Sequence, residues 1–444
     1  MAWTEAEVIR LTSEYTASLG ASGPVIVRGK GAKVWDIQGE EYLDCESGPG
    51  VLNIGHCHPR VTEVIKKQVE LMTQTPGVCY NTQIVALAQK LAEISPGTLK
   101  KTFFCNSGAE SVEGAVKVAM KKAQKSGKLS FGIIAFQNAF HGRLSLSQAL
   151  TGLTGRKQGF GTFGSFPGVV HIQAPYCYRC PLQYPACDLH CAGQMLEDLL
   201  KTSGPGQFAI FIGEPILAVG GIIVPPDGYW AKIREFCDRN GIILIFDEVF
   251  AGFGRTGKMF TSQHWGVIPD IMVTAKAVGG GLPLGAFIMK PEIADALASR
   301  DHFTTFGWNN VVGPAAGLEG IKVIEEEGLV ENSRAMGERM IEGLRAMMDH
   351  SDIIGDVRGK GLLIGVELVK DKKSKVPNSE AAKKLVAAML QRKILLAETG
   401  ASSNIIRIIP PLPIDKDQVD HVLSTMELAL RDIGHPLRAK GAGK

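Results

Sequence analysis

The amino-acid sequence predicts an α/β fold in which a large domain, with a mainly parallel mixed sheet flanked by helices, joins a small α+β domain. Between residues 101 and 287, short apolar runs alternate with helical segments, the pattern of βαβ units. Around the glycines of VIVRGKGAKVWDIQGEEYLDC, apolar and polar residues alternate, which indicates antiparallel strands. Both chain ends are expected to build the small domain. The predicted bounds are 1–60 for the N-terminal segment, 61–320 for the large domain and 321–444 for the C-terminal part.

The elements follow in order along the chain. After the antiparallel strands, PRVTEVIKKQVELM and TQIVALAQKLAEI have the apolar spacing of amphipathic helices. The predicted strands of the large sheet are KTFFC, GIIAF, VVHI, FAIFIGEPI, IILIFDEV, DIMVTAK and GAFIMK. Long helices are predicted across NVVGPAAGLEGIKVIEEEGLVENSRAMGERMIEGLRAMM. The terminal unit is expected to combine strands in VRGKGLLIGVELV and NIIRIIPPL with a helix in DQVDHVLSTMELALRDI.

Length and composition favour a soluble globular enzyme. The 444 residues are 45% hydrophobic and 21% charged, and the net charge of +3 is too small to indicate a nucleic-acid partner. No window approaches the ~18 apolar residues of a membrane span. The N-terminal stretch MAWTEAEVIRLTSEYTASLG lacks the apolar core of a signal peptide, so a cytoplasmic location is expected. The end RAKGAGK is expected to be a frayed tail.

Two polar residues, 29 positions apart, end neighbouring apolar runs. Asp247 ends IILIFD, and Lys276 ends IMVTAK. Buried strands of an open α/β sheet present ligand-binding groups at their carboxyl ends. Pyridoxal 5'-phosphate needs both groups, a lysine that forms a Schiff base and a carboxylate that keeps its pyridine nitrogen protonated. The alternative, a nucleotide site with Asp247 and Glu248 as a Walker-B pair and Lys276 as a helix cap, lacks a GxxxxGK[ST] loop. Glu248 is expected to be structural.

A phosphate site is predicted where NSGAES follows the strand KTFFC. The backbone amides of Gly108 and Ala109 and the hydroxyl of Ser107 can hold an anion at the positive end of the next helix. An ordinary N-cap is the alternative, because the motif by itself is weak evidence.

A family resemblance covers nearly the whole chain. GHCHP, FCNSGAESVEGAVKVA, FHGR, DEVFAGFGRTG, TAKAVGGGLPLGA and RGKGLLIGVEL resemble the class III (omega-type) pyridoxal-phosphate aminotransferases. The resemblance implies fold type I, a homodimer or dimer of dimers, and an amino donor and a 2-oxo acid acceptor such as pyruvate as substrates. EPILAVGGIIVPPDGY, IGDVRGKGLLIGVELVKD and RIIPPL resemble 2,2-dialkylglycine decarboxylase especially.

The resemblance also assigns residues around the cofactor ring. Val249 is expected against one face of the ring and Phe140 against the other, with His141 in the same turn. Thr305 matches a threonine that contacts the phosphate from the neighbouring subunit. The active site is therefore expected to depend on a dimer.

Four positions of the predicted substrate site are expected to influence substrate specificity. Arg407 matches the arginine that binds a substrate carboxylate, and Val219 stands where omega-amino acid enzymes often place a glutamate that masks it. Arg407 is therefore expected to lack a carboxylate partner. Phe250 replaces a glutamine that many relatives place near the phenolic oxygen of the cofactor. Pro49 replaces a glutamine of the decarboxylase, which argues against efficient decarboxylation.

These patterns favour an aminotransferase that moves an amino group between an amine or amino acid and a 2-oxo acid. Decarboxylation-dependent transamination and amino-acid racemisation or epimerisation remain alternatives, because they use the same cofactor and the same motifs. A dehydrogenase is disfavoured, since no GxGxxG follows the first strand of a βαβ unit.

A cluster of four cysteines leaves open a different class of protein, a metal or iron–sulfur protein. Cys177, Cys180, Cys187 and Cys191 have the spacing C-x₂-C-x₆-C-x₃-C, which suits zinc, an iron–sulfur cluster, two disulfides or a loop of unmodified thiols. A structural or incidental role is favoured, with no metal in the catalytic site. The remaining cysteines, expected to be small core residues, are Cys45, Cys57, Cys79, Cys105 and Cys237.

Overall fold

The computed structural model describes residues 3–17, 23–128, 130, 132–161, 165–182, 187–204 and 206–438. The predicted tail beyond residue 438 lies outside these ranges, as do residues 183–186 of the cysteine cluster. Within the described residues, no helix combines the length and the apolar character needed to cross a membrane.

The strands are Ile26–Lys30 (β1), Lys33–Asp36 (β2), Glu41–Asp44 (β3), Lys101–Cys105 (β4), Gly132–Phe136 (β5), Val169–Ile172 (β6), Phe208–Gly213 (β7), Ile243–Asp247 (β8), Ile271–Ala275 (β9), Gly285–Met289 (β10), Ile354–Lys360 (β11), Leu363–Leu368 (β12), Ile394–Leu395 (β13), Ala397–Thr399 (β14) and Ile405–Ile408 (β15). The α-helices are Glu5–Tyr15 (α1), Ser47–Gly50 (α2), Pro59–Leu71 (α3), Thr82–Ile94 (α4), Gly108–Lys125 (α5), Ser145–Leu150 (α6), Gln194–Ser203 (α7), Tyr229–Arg239 (α8), Pro291–Ala294 (α9), Val312–Glu326 (α10), Leu329–His350 (α11), Ser379–Gln391 (α12) and Lys416–Asp432 (α13).

The central sheet has seven strands in the order β4-β10-β9-β8-β7-β5-β6. The pairs from β9 through β8, β7 and β5 to β6 are parallel, whereas β10 is antiparallel to both β9 and β4. Every residue of β7, β8, β9 and β10 is buried, as expected for strands covered on both faces. The predicted α/β class with a mainly parallel mixed sheet is confirmed.

Two smaller sheets involve the ends of the chain. In one, β1, β2 and β3 are antiparallel and β13 pairs in parallel with β3, so that Ile394 lies opposite Leu43. The other has the order β11-β12-β15-β14. The predicted strand run VRGKGLLIGVELV contains parts of two antiparallel strands, β11 and β12, because the chain reverses at Gly361. A Cβ at Gly361 would lie 2.4 Å from the carbonyl carbon of Thr256, and its φ of +52° also requires glycine.

The predicted cysteine environments are only partly correct. Cys45, Cys105 and Cys237 are buried core residues, whereas Cys57 and Cys79 are exposed. Apolar neighbours in the sequence could not reveal this, since both exposed thiols lie in irregular segments flanking α3 and α4.

Candidate active site

A cavity of about 380 Å³ lies at the carboxyl edge of the central sheet. The strands β7, β8 and β9 are parallel, and β4 runs in their direction because β10 is antiparallel to both β9 and β4. The polar residues that follow these strands therefore meet. The predicted site residues that line the cavity are Ser107, Gly108, Ala109, Phe140, His141, Asp247, Val249, Phe250 and Lys276.

Lys276 begins a 3₁₀ turn directly after β9 and has a left-handed φ of +54°. Its amine lies 3.5 Å from the ring centroid of Phe250. Burial lowers the pKa of Lys276 to about 7, and the positive charge of Arg407 adds to this effect, while Asp247 and Glu214 oppose it. The lysine is consequently close to half neutral at pH 7.

Asp247 ends β8, and its carboxylate is held on both oxygens. Its Oδ1 accepts a hydrogen bond from the backbone amide of Val249 at 3.0 Å, and its Oδ2 lies 2.8 Å from Nδ1 of His141. The backbone amide of His141 donates to Oγ1 of Thr151 at 3.0 Å. The Nε2 atom of His141 is buried and has no hydrogen-bond partner among the described residues. Such an atom indicates that a further polar group belongs here.

The N-terminus of α5 forms the third side of the cavity. Ser107 is the N-cap residue, and its Oγ accepts a hydrogen bond from the amide of Glu110 at 3.2 Å. A Cβ at Gly108 would lie 2.9 Å from Cγ1 of Val249, so only glycine lets the helix start so close to β8. The unpaired amides of the first helical turn suit a phosphate.

The second carboxylate of the DEV motif has a different role. Glu248 is buried and accepts hydrogen bonds from the backbone amides of Thr261 at 3.0 Å and Ser262 at 2.7 Å. It does not line the cavity, which agrees with the structural role predicted for it.

Three polar residues that line the cavity were missed by sequence reasoning, namely Asn106, Arg143 and Glu214. Glu214 follows β7 directly and accepts hydrogen bonds from the amides of Phe140 at 2.8 Å and Ala218 at 3.0 Å. Burial raises the pKa of Glu214 to about 7. The signal that identified Asp247, a polar residue that closes a buried strand, also applies to Glu214 and Asn106.

Three predicted residues do not line the cavity. Pro49 and Thr305 are exposed, and Arg407 lies near Phe250, with its Cζ 5.4 Å from the ring centroid. The prediction that Arg407 lacks a carboxylate partner is wrong. It forms an ion pair with Glu46, 361 residues away in the chain, and its Nε lies 3.4 Å from Oε1 of that glutamate.

The four clustered cysteines lie elsewhere. Cys177, Cys180, Cys187 and Cys191 line a separate cavity of about 610 Å³ and are free thiols. Among the described residues, no three His, Cys, Asp or Glu side chains are arranged to hold a metal ion. Arg179, between the first two cysteines, donates to Oε1 of Glu367 at 2.5 Å and so ties this segment to β12.

The arrangement around the main cavity fits pyridoxal phosphate. A partly neutral lysine, a buried carboxylate and a helix N-terminus line one space of suitable size, and the histidine that contacts this carboxylate has a buried nitrogen with no partner among the described residues. The fold and the site together define a pyridoxal-phosphate enzyme of fold type I.

Comparison with known proteins identifies the family. Residues 19–430 match the family Aminotransferase class-III. The chain is 39% identical to the acetylornithine aminotransferase of Methanocaldococcus jannaschii, covering 96% of this chain and 98% of that one. It is 36% identical to the leucine/methionine racemase of Thermococcus litoralis, covering 92% and 91%. The crystal structure of an (S)-enantioselective omega-transaminase from Thermomicrobium roseum superposes with a TM-score of 0.90 at 34% identity, covering 97% and 99%.

The chain therefore belongs to the class-III aminotransferase family, and it is a pyridoxal-phosphate-dependent aminotransferase. The predicted family, fold type and cofactor are confirmed. The closer likeness to 2,2-dialkylglycine decarboxylase stays a prediction.

Proposed function

We propose that this aminotransferase moves an amino group from an amine or amino acid to a 2-oxo acid such as pyruvate, with Lys276 and Asp247 as its catalytic residues. The observation that carries the proposal is the pairing, across one cavity, of a lysine whose pKa is lowered to about 7 with a buried, doubly held carboxylate. Bound pyridoxal phosphate supplies an electron sink for the bond broken at the substrate carbon.

Lys276 is proposed to attach the cofactor and then to move the proton between substrate atoms. A neutral amine is required for both steps, and burial provides it near neutral pH. Asp247 is proposed to hold the protonated pyridine nitrogen through a charge-assisted hydrogen bond. Its contact with His141 fixes the orientation of the carboxylate for that bond.

The remaining predicted contacts complete the cofactor site. Ser107, Gly108 and Ala109 are proposed to bind the phosphate, since they form the first turn of α5 at the cavity. Val249 and Phe140 are proposed to enclose the ring, because both line the same space.

Carboxylated substrates are favoured by charge. Arg143 lines the cavity, is exposed, and has no carboxylate partner among the described residues. An unpaired guanidinium attracts a substrate carboxylate and can bind it with two hydrogen bonds. Arg407 is a second candidate, once its ion pair with Glu46 opens.

We propose that the working enzyme is a homodimer or a dimer of dimers. Val78 and Tyr80 are 96% and 95% exposed, and Phe306 and Trp308 are also exposed. A backbone hydrogen bond of 3.0 Å from Thr75 to Asn309 joins the two segments into one apolar surface. Large exposed apolar surfaces mark interaction sites. Thr305 lies on this surface, where a partner subunit could use it to contact the phosphate.

An amine-donor screen with pyruvate tests the proposed function. We expect alanine and the oxo product of the donor to form in equal amounts, without carbon dioxide. Stoichiometric carbon dioxide would indicate decarboxylation, and exchange of amino-acid enantiomers without pyruvate would indicate racemisation. Absence of amino transfer to any 2-oxo acid would refute the proposal.

A further inference from the structure

We propose that Arg255 is a positioning residue that holds the wall segment, residues 47–53, against the catalytic cavity and thereby sets the size of the substrate that fits beside Lys276. The inference rests on the proposed function and deepens it. Arg255 does not line the cavity, so its effect on substrate size is exerted through the wall segment.

Arg255 is a cation in the interior of the protein. Its side chain is completely buried, and it forms no ion pair with a carboxylate of the described residues. Burial lowers the pKa of Arg255 to about 9, and the charges of Asp44 and Glu46 partly oppose this effect. Burying a charge without a direct ion pair is costly. The hydrogen bonds of the guanidinium indicate what this charge provides in return.

The guanidinium binds both ends of the wall segment. Its Nη2 donates to Oδ1 of Asn53 at 2.8 Å and to Oγ of Ser47 at 3.3 Å. Its Nη1 donates to the carbonyl of Leu362 at 3.2 Å and to the carbonyl of Pro410. Leu362 precedes β12 and Pro410 follows β15, so one side chain joins the wall segment to the sheet that contains these strands. A lysine has a single nitrogen and cannot reproduce this fork of contacts.

The backbone of the wall segment depends on such restraint. Ser47 has a left-handed φ of +49°, and Gly48 and Gly50 follow with +51° and +74°. A left-handed conformation costs free energy at a residue with a Cβ, and it persists where the surrounding structure imposes it. The hydrogen bonds at Ser47 and Asn53 therefore fix a segment that local preference alone would not keep in this shape.

The middle of the wall segment reaches the catalytic cavity. Val51 lines this cavity together with Phe250 and Lys276. A Cβ at Gly50 would lie 2.9 Å from Cζ of Phe250, so the main chain of the segment packs directly against this ring. The amine of Lys276 lies 3.5 Å from the centroid of the same ring. An outward shift of the wall segment would therefore enlarge the cavity near the reacting amine.

Arg255→Lys tests the proposal, because lysine keeps the charge and loses the fork. The probes are propionate and 3-phenylpropionate, a small and a large carboxylate that cannot react, titrated into the holoenzyme by calorimetry. We expect the Kd of 3-phenylpropionate divided by the Kd of propionate to fall by about tenfold, because the larger acid gains room. The matched control is Arg339→Lys, which alters an exposed ion pair between α11 and Asp420 and should leave this ratio unchanged.

A positioning role predicts a selective effect. The Kd of pyridoxal phosphate should stay unchanged in Arg255→Lys, since the wall segment does not include the start of α5, where the phosphate is proposed to bind. An unchanged ratio of the two acids in Arg255→Lys would overturn the proposal, even if the melting temperature falls. Failure of the natural holoenzyme to bind either acid would overturn it as well.

A second variant serves if Arg255→Lys folds poorly. Asn53→Ala keeps the guanidinium and removes its acceptor at one end of the wall segment. It should lower the ratio of the two Kd values in the same direction, and an unchanged ratio would overturn the proposal. Failure of this proposal is distinguishable from failure of the proposed function, since the acids are bound without turnover and amino transfer is measured separately.

Discussion

Lys276 has a backbone conformation and surroundings that differ from those of a surface lysine. Its φ of +54° is uncommon for a residue with a Cβ, and such conformations persist where the surrounding structure imposes them. The glycine-rich loop that follows leaves no room for larger residues, as shown at Gly280, where a Cβ would lie 2.6 Å from the carbonyl oxygen of Ala316. The amine lies over Phe250 in a buried environment that disfavours its charged form.

The lowered pKa of Lys276 predicts a pH dependence for cofactor attachment. Below pH 7 the amine is protonated and cannot attack an aldehyde, and above pH 7 it is neutral. We expect the rate at which the apoenzyme takes up pyridoxal phosphate to rise through a midpoint near pH 7, well below the ordinary lysine value of 10.5. Stopped-flow absorbance measures this rate. After borohydride reduction the cofactor should be covalently attached in the natural enzyme but not in Lys276→Ala, and a midpoint near 10 in the natural enzyme would contradict the prediction.

Asp247→Asn should keep the cofactor attached but slow catalysis by orders of magnitude, since a neutral amide cannot hold the pyridine nitrogen protonated. Single-turnover kinetics with an amino donor measure the effect. His141 should stay in place, so the protein should fold normally. A loss of less than about tenfold, or ~1.4 kcal/mol, would place Asp247 outside contact with the ring.

At the scale of elements, the start of α5 and the end of β8 meet at a distance that only glycine permits. We predict that Gly108→Ala weakens pyridoxal-phosphate binding by about tenfold or more, because its methyl group would contact Val249 and move the amides of the first turn. Equilibrium dialysis gives the Kd. Gly23→Ala is the control, since a Cβ there meets nothing within 4 Å. Equal affinities in the two variants would show that the helix start does not bind the phosphate.

We predict that the cysteine segment holds no stoichiometric metal, because short cysteine clusters often match zinc spacings without binding the ion. Metal analysis of protein purified without chelators should give less than about a tenth of an equivalent of zinc or iron. The double variant Cys177→Ser and Cys180→Ser should then retain activity and melting temperature. Near-stoichiometric metal that disappears in this variant would establish a site and restore the metal-protein alternative for this loop.

At the scale of the whole molecule, the apolar surface around Val78 and Trp308 predicts dependence of the site on a partner subunit. Val78→Asp places a charge at a side chain that is 96% exposed in a single chain. We expect this variant to dissociate into monomers in analytical ultracentrifugation. It should also bind pyridoxal phosphate more weakly, because the phosphate would lose the contact proposed for Thr305 across the dimer. Leu428→Asp, an exposed position on α13, is the control. A Val78→Asp protein that stays dimeric would exclude this surface as the interface.

Much of the fold was accessible from the sequence because local patterns report local burial. The alternating apolar runs matched the strands of the central sheet, and the residues that close those strands, Asp247 and Lys276, do line one cavity. Parallel strands run in the same direction, so the residues that end them could be placed at a common edge of the sheet. The reversal between β11 and β12 was not predicted, because a glycine within an apolar run does not by itself indicate that the chain reverses.

The sequence by itself determined the fold class and the family, and it placed Asp247 and Lys276 at the ends of buried strands, because each of these patterns is local in the chain. Only the tertiary structure decided that Arg407 is paired with Glu46 and that Arg407 and Lys276 both lie near the ring of Phe250. The physical reason is that a backbone hydrogen bond from Ile409, which follows β15, to Cys45, which follows β3, brings Arg407 and Glu46 together. No sequence motif indicates such a contact between residues 361 positions apart.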